Sequence, residues 1–244
     1  MRPYVFAISD IHGRFDLMQA LLCDFDAKLH QLVLIGDLLD RGLQSKEALL
    51  LGKQLVEKYQ AVYLRGNHEE YFLQFLQRPE EWFSAYVANG GKETLNSLLH
   101  SGATEEYSPT ELAVMIGSRY SELVAFLKER PFYYEWQHYL FVHAGVDLTK
   151  SNWKDTAPKD FIWIREPFHQ GVNRTGKTIV FGHTITPMLH GDMTTTDLWQ
   201  SDNKIGIDGG AVFGGSVHGV IFNDKGIVQD IEYQDRKGPC HPDF

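Results

Sequence analysis

Apolar residues along the chain fall into two rhythms. Short runs recur at "YVFAI" (4–8), "LVLI" (32–35), "AVYL" (61–64), "YLFV" (139–142) and "TIVF" (178–181), each four or five residues long. They are apolar on both sides of the pleat, which predicts strands buried on both faces. Between the first three, "RFDLMQALLCDF" and "SKEALLLGKQLVEKY" carry apolar residues at spacings of three and four. That is the pattern of one buried helix face. Asp16 and Ser45 stand near their starts, where caps are expected. The opening third therefore reads β-α-β-α-β, an α/β pattern that predicts a mainly parallel sheet.

The rhythm then changes. Residues 69–130 read as helices broken at Pro79, Gly90–Gly91 and Gly102, forming a helical insertion beside the sheet. Strand patterns return at 132–135 and 139–142, and the last forty residues read as a glycine-punctuated β-meander. No repeat, low-complexity segment or linker interrupts residues 1–244, so a single domain is expected.

Composition narrows the function. Hydrophobic residues are 43%, charged residues 23%, and the net charge is −9. An acidic balance argues against a nucleic-acid binder or a protein held on anionic membranes, because both rely on basic surface. It leaves room for an anionic substrate bound locally by a metal or a few arginines. No run is long and apolar enough to span a bilayer, and acidic Asp10 arrives too early for a secretory leader. Cys23 and Cys240 match no metal or redox spacing. Cys23 is expected to pack as a small apolar residue in a reducing, cytoplasmic setting.

The chemistry gathers where the strands end. After the five apolar runs come Ser9-Asp10-Ile11-His12-Gly13, Gly36-Asp37-Leu38-Leu39-Asp40-Arg41-Gly42, Arg65-Gly66-Asn67-His68-Glu69, His143-Ala144-Gly145 and Gly182-His183-Thr184. In α/β sheets ligands bind beyond the carboxyl ends of the strands. Each turn alone could be a polar turn, a helix cap or a packed histidine; five together point to one rim. Asp10, Asp37, Asn67, His12, His143 and His183 form a mixed oxygen and nitrogen set suited to manganese, iron or zinc. Six ligands exceed what one catalytic ion with an open position needs, but suit two ions sharing a carboxylate. Arg41, Arg65 and Arg165 offer guanidinium forks that match phosphate oxygens. Glu69 and Glu70 are assigned to the helix dipole, and the other histidines to surface or core.

The ordered motifs "SDIHG", "GDLLDRG", "GNHE", "HAG" and "FGHT" resemble the signature of the metal-dependent phosphoprotein phosphatases, within the calcineurin-like metallophosphoesterases. They are most similar to small bacterial and phage serine/threonine phosphatases. "GIDGGAVFGG" (206–215) resembles the family's closing strand-turn segment, whereas residues 70–130 match no motif. The resemblance implies two stacked mixed β-sheets flanked by helices. It implies that Asp10 and His12 bind one ion, that Asp37 bridges, and that Asn67, His143 and His183 complete the second site. His68 is implied as general acid held by Asp40, and Arg41, Arg65 and Arg165 as phosphate clamps. A hydroxide bridging two divalent ions, manganese first, would attack the phosphorus of a phosphorylated protein, peptide or small phosphoester.

Two alternatives stand beside this reading. Dinucleoside polyphosphate hydrolases share the metal motifs. In the symmetric diadenosine tetraphosphate hydrolases, the turn matching "LLDRG" typically lacks the second aspartate and the one matching "GNHE" typically ends in Asp. Asp40 and Glu69 here favour phosphomonoesters. A non-catalytic scaffold is disfavoured because every matched position is intact.

Overall fold

The computed structural model describes residues 2–234. β1 (Tyr4–Ile8), α1 (Phe15–Leu22), β2 (His30–Leu34), α2 (Ser45–Tyr59) and β3 (Val62–Tyr63) follow the expected order, and β1, β2 and β3 pair in parallel. β3 keeps only two residues of the apolar run. Asp16 and Ser45 do not cap. Asp16 lies inside the first turn of α1 and pairs with Arg14. Ser45 begins α2, and its hydroxyl instead accepts from the Asp40 amide at 3.0 Å. Cys23 ends α1 half-buried rather than packed away, and Cys240 and His241 lie outside the described residues.

The insertion is helical throughout: α3 (Asn67–Gln77), α4 (Pro79–Ala88), α5 (Gly91–Leu98), α6 (Ala103–Glu106), α7 (Pro109–Arg119) and α8 (Ser121–Lys128). Pro79, Gly90 and Gly102 mark breaks as expected, and Ser108 caps α7 by accepting from Glu111 N. Then come β4 (Tyr133–Trp136), β5 (Tyr139–Val142), α9 (Pro158–Trp163), α10 (Glu166–His169), β6 (Thr178–Phe181), α11 (Thr186–His190), β7 (Trp199–Ser201), β8 (Lys204–Gly206), β9 (Val217–Asn223) and β10 (Gly226–Tyr233).

Two five-stranded mixed sheets result, in orders β10-β9-β1-β2-β3 and β4-β5-β6-β8-β7. The opening parallel reading holds for three strands, while β9 joins β1 antiparallel. The expected closing meander is divided between the sheets. β8 pairs parallel with β6 in the second, and only the β9–β10 hairpin lies in the first. Residues 207–216 carry the chain from one layer to the other, a connection that apolar pattern alone does not encode.

Side-chain alternation explains the layers. Phe6 and Ile8 of β1 pack with α1 and α2 through Leu17, Leu21, Leu49 and Leu55. Val5 and Ala7 face the other way, meeting Phe141, Val180 and Ile205 between the sheets. The outer face of the second sheet, Leu140, Val142, Ile179 and Phe181, is covered by Trp153, Phe161 and Phe168. Strands buried on both faces have no polar alternation to show, which is why they read as continuous apolar runs.

The β9–β10 hairpin also contains a charge pair with one buried partner, His218, and one exposed partner, Asp230. His218 is 1% exposed; its Nδ1 donates to Asp230 at 2.9 Å and its Nε2 to Thr196 O at 2.8 Å. Burial opposes the charge, but the Asp230 carboxylate and the Thr196 carbonyl outweigh it and raise the imidazole above its ordinary 6.5. The stabilisation is therefore complete below about pH 6.5 and is lost as pH rises through the higher folded value. His218→Gln is expected to flatten the fall in urea midpoint above pH 6.5; an unchanged pH profile would reject this assignment.

Candidate metal and catalytic site

The turns after β1, β2, β3, β5 and β6 meet on one rim. Asp10, His12, Asp37, Asp40, Arg41 and His183 all adopt left-handed backbone, with φ between 45° and 71°. Such conformations cost a β-carbon residue about 1–3 kcal/mol each and cluster where function requires them. The glycines beside them are there for space. A Cβ on Gly66 would lie 2.1 Å from Asp37 Oδ1, and one on Gly182 2.0 Å from Asp10 Oδ2.

Asp37 stands at the centre. Its Oδ2 lies 3.4 Å from His143 Nε2, 3.6 Å from His12 Nε2 and 3.9 Å from His68 Nε2. Two groups of donor atoms, each within 4.8 Å of one another, share it: His12, Asp37 and His68, and Asp37, His143 and His183. Asn67 Oδ1 joins the second group, 2.8 Å from His143 Nε2. Asp10 belongs to neither group; both its oxygens accept from the His183 amide, at 3.0 and 3.2 Å. His12 Nδ1 donates to Leu39 O at 2.9 Å and His143 Nδ1 to Ile35 O at 2.8 Å, which turns each Nε2 toward the cluster.

The electrostatics suit cation binding. Burial works to raise Asp37, yet His143 and His68 hold it well below the usual carboxylate range. His143 is pushed up to about 10 by Asp37 against its own burial. Burial lowers His12 and His183 well below 6.5, with His68 acting on the first and His143 and Arg165 on the second. Those two rings are neutral, as ligands must be, whereas His143 has to give up a proton to a cation that takes the Asp37 carboxylate. His183 Nε2 is buried without a partner, a costly state that a bound cation relieves. The donor set fits two divalent ions.

His68 lies beside the cluster, 1% exposed, with Nδ1 2.7 Å from Asp40 Oδ2. Asp40 is wholly buried, and its other oxygen accepts from Tyr86 Oη at 2.7 Å and Thr94 Oγ1 at 2.6 Å. Tyr86 and Thr94 belong to α4 and α5, so the insertion orients the dyad; sequence reasoning missed both. Tyr86→Phe is expected to lower kcat about tenfold, the low end of the effect of one hydrogen bond to a charged group, and an unchanged kcat would deny the insertion this role.

The three arginines fare differently. Arg41 reaches His68 Nε2 at 2.9 Å and also His12 Nε2, so it lies inside the site. Arg165, just before α10, donates to Thr184 Oγ1 at 2.6 Å and reaches the His183 carbonyl. Arg65 turns aside: it pairs with Glu70 at 3.2 Å, donates to Lys128 O and stacks over Phe132.

Glu69, assigned from sequence to a helix dipole, is fully buried and accepts from Asp37 N, Leu38 N, Gly66 N and Tyr63 Oη at 2.8–3.0 Å. It clamps the β2 turn to the β3 turn. Its position as third residue of α3, reaching back to Gly66, was the signal available. Asp208, in "GIDGG", was also missed. It is buried, and burial with Asp37 nearby raises it to about 6.

Two mixed sheets, with carboxylates, imidazoles and a carboxamide gathered at their parallel strand ends, define a metallophosphoesterase. The chain belongs to the calcineurin-like phosphoesterase family, whose model matches residues 4–218. That membership implies a phosphoester hydrolase with a dinuclear metal centre.

It is 30% identical over 166 residues to a symmetrical bis(5'-nucleosyl)-tetraphosphatase of Dechloromonas aromatica, covering 66% of this chain and 51% of that protein. It thus spans about half of that relative's length. An asymmetrical bis(5'-nucleosyl)-tetraphosphatase of Oceanobacillus iheyensis is 25% identical, over 91% of this chain and 89% of its own. Serine/threonine-protein phosphatase 1 of Salmonella typhimurium is 37% identical over 90 residues, 36% of this chain and 39% of that one. Among solved structures, one described as a candidate diadenosine tetraphosphatase superposes with a TM-score of 0.68 at 18% identity, covering 98% of this chain and 96% of that one; it supports the fold alone. No helix among the described residues is long and apolar enough to cross a membrane.

Proposed function

We propose that the protein hydrolyses phosphoesters with His68 as the proton donor to the leaving oxygen. One observation carries this reading: the 2.7 Å contact of His68 Nδ1 with buried Asp40, beside the Asp37 cluster. Asp10, His12, Asp37, Asn67, His143 and His183 would hold two divalent ions, with Asp37 between them. Manganese is the first to test, then iron or zinc. When bound, such ions supply an activated water and offset charge on the phosphoryl oxygens.

The chain's own groups do the rest. Arg41 and Arg165 orient the phosphoryl group through their forks. Arg65 serves oxygens farther along the substrate, on the side where Glu70 now holds it. Asp40 holds the His68 ring through Nδ1, so that Nε2 is the atom that gives a proton to the departing oxygen. That donation matters most for an alkoxide, so the core suits phosphomonoesters, with phosphoserine and phosphothreonine of proteins as the leading reading.

A dinucleoside polyphosphate is the second reading. Glu69 no longer counts against it, since this residue shapes the turns rather than choosing the substrate. A cleft beside His68, lined by Tyr71, Trp82 and Trp163 with Arg65, Arg78 and Lys159, favours it. Phosphate release from a phosphoserine peptide, set against ADP release from diadenosine tetraphosphate by the manganese-loaded protein, separates the two. Turnover of neither by the loaded protein would sink both.

A further inference from the structure

A cleft of about 610 Å³ opens between α3, α4 and α9. It begins where the metal site ends. The Tyr71 ring lies 6.1 Å edge-on from His68, and the Trp163 ring 5.8 Å from His183. Tyr71 in turn stands 5.1 Å from Trp163, near-perpendicular at 89°, and 5.9 Å from Trp82, inclined at 63°. Flat apolar faces thus continue outward from the proton donor.

The polar lining is mostly cationic. Arg65, Arg78 and Lys159 line the cleft with one carboxylate, Glu70, which pairs with Arg65, while Glu81 outside the lining pairs with Arg78 at 2.9 Å, in a chain whose net charge is −9. Two donors on its lining residues lack acceptors: Trp82 Nε1 and Arg65 Nε are both buried and unpartnered. Buried donors without acceptors are costly, so their persistence at a cleft wall points to an acceptor-rich occupant.

We propose that this cleft binds the leaving half of a nucleoside polyphosphate. The base lies against the rings of Tyr71, Trp82 and Trp163, since every base presents a π-face to aromatic side chains. Its phosphate oxygens accept from Arg65, Arg78 and Lys159. A phosphoseryl peptide fits less well, because its leaving group is a neutral alkyl chain with no charge beside the scissile bond. In the reaction, water oxygen bonds to phosphorus and the P–O bridge breaks. The electron pair stays on the departing nucleoside phosphate, and the water proton goes to solvent. The proposal rests on reading the adjoining metal site as a phosphoester hydrolase and deepens the second of its two substrate readings, the dinucleoside polyphosphate, against the first.

ADP is the probe. Inhibition of p-nitrophenyl phosphate hydrolysis by ADP and by inorganic phosphate is measured on the manganese-loaded full chain. ADP is expected to inhibit about tenfold more tightly than phosphate. Trp82→Leu, and separately the exposed Lys159→Ala, should weaken ADP about fivefold or more and phosphate by less than about twofold. ADP no tighter than phosphate, ADP inhibition unchanged in both variants, or a phosphoserine peptide outcompeting ADP would each overturn the proposal. Should the protein hydrolyse nothing, the metal-site reading fails separately. Saturable quenching of tryptophan fluorescence by ADP, weakened in Lys159→Ala, would then still support the cleft, and its absence would refute it.

Discussion

His68→Asn is expected to lower kcat about 10²–10⁴-fold on an alkyl phosphomonoester, the usual yield of a positioned general acid. On p-nitrophenyl phosphate the loss should be far smaller, because a nitrophenolate leaves without protonation. The difference follows from geometry. His68 Nδ1 is committed to Asp40 at 2.7 Å, so Nε2 must serve the leaving oxygen, and Arg41, now 2.9 Å from it, must turn to the phosphoryl group. Asp40→Asn should show the same dependence on the leaving group with a smaller loss, since Tyr86 and Thr94 still fix the side chain. KM should change little in either variant. Equal losses on both substrates would assign His68 to metal or phosphate binding, which its 3.9 Å distance to Asp37 Oδ2 makes the real competitor.

Asp37→Asn should be the most damaging change. Its Oδ2 is shared by His12, His143 and His68 within 3.9 Å, and among the described residues no other carboxylate joins both donor groups. The amide keeps the shape but loses the charge and one of two ligand oxygens. Affinity for the metal pair is expected to fall about 100-fold or more, with activity falling alongside it. The main-chain amides donating to Glu69 are untouched, so the fold should survive. Melting temperature without added metal separates the two effects: a collapse there would show Asp37 to be structural instead.

Much of the site was legible in the sequence, for one physical reason. Strands buried on both faces carry charge within their length only where it is paired, as at His218 and Lys204, so polar groups pile up where the strands stop, and Asp10, Asp37, Asn67, His143 and His183 all stand there. What escaped was whatever depends on the other layer. Tyr86 and Thr94 look like ordinary members of amphipathic helices, and nothing local says that their hydroxyls meet Asp40 from 46 and 54 residues away. Glu69 looked like a helix-dipole acid, because its burial comes from the β2 turn folded over it. Arg65 sits in the right turn, yet its side chain follows Glu70 and the α8 carbonyls. The split of the last strands between two sheets was hidden for a related reason. β8 and β9 are alike in apolar pattern, and only the path of residues 207–216 separates them.

The direct test of the account is metal stoichiometry. The purified chain is stripped with chelator, dialysed to equilibrium against Mn²⁺, and its bound metal counted beside that of Asp37→Asn. A dinuclear centre built on a shared Asp37 carboxylate predicts close to two ions per chain, and a clear deficit in the variant. A wild-type chain that binds none, or a variant that binds as many ions as the wild type with the same affinity, would contradict it.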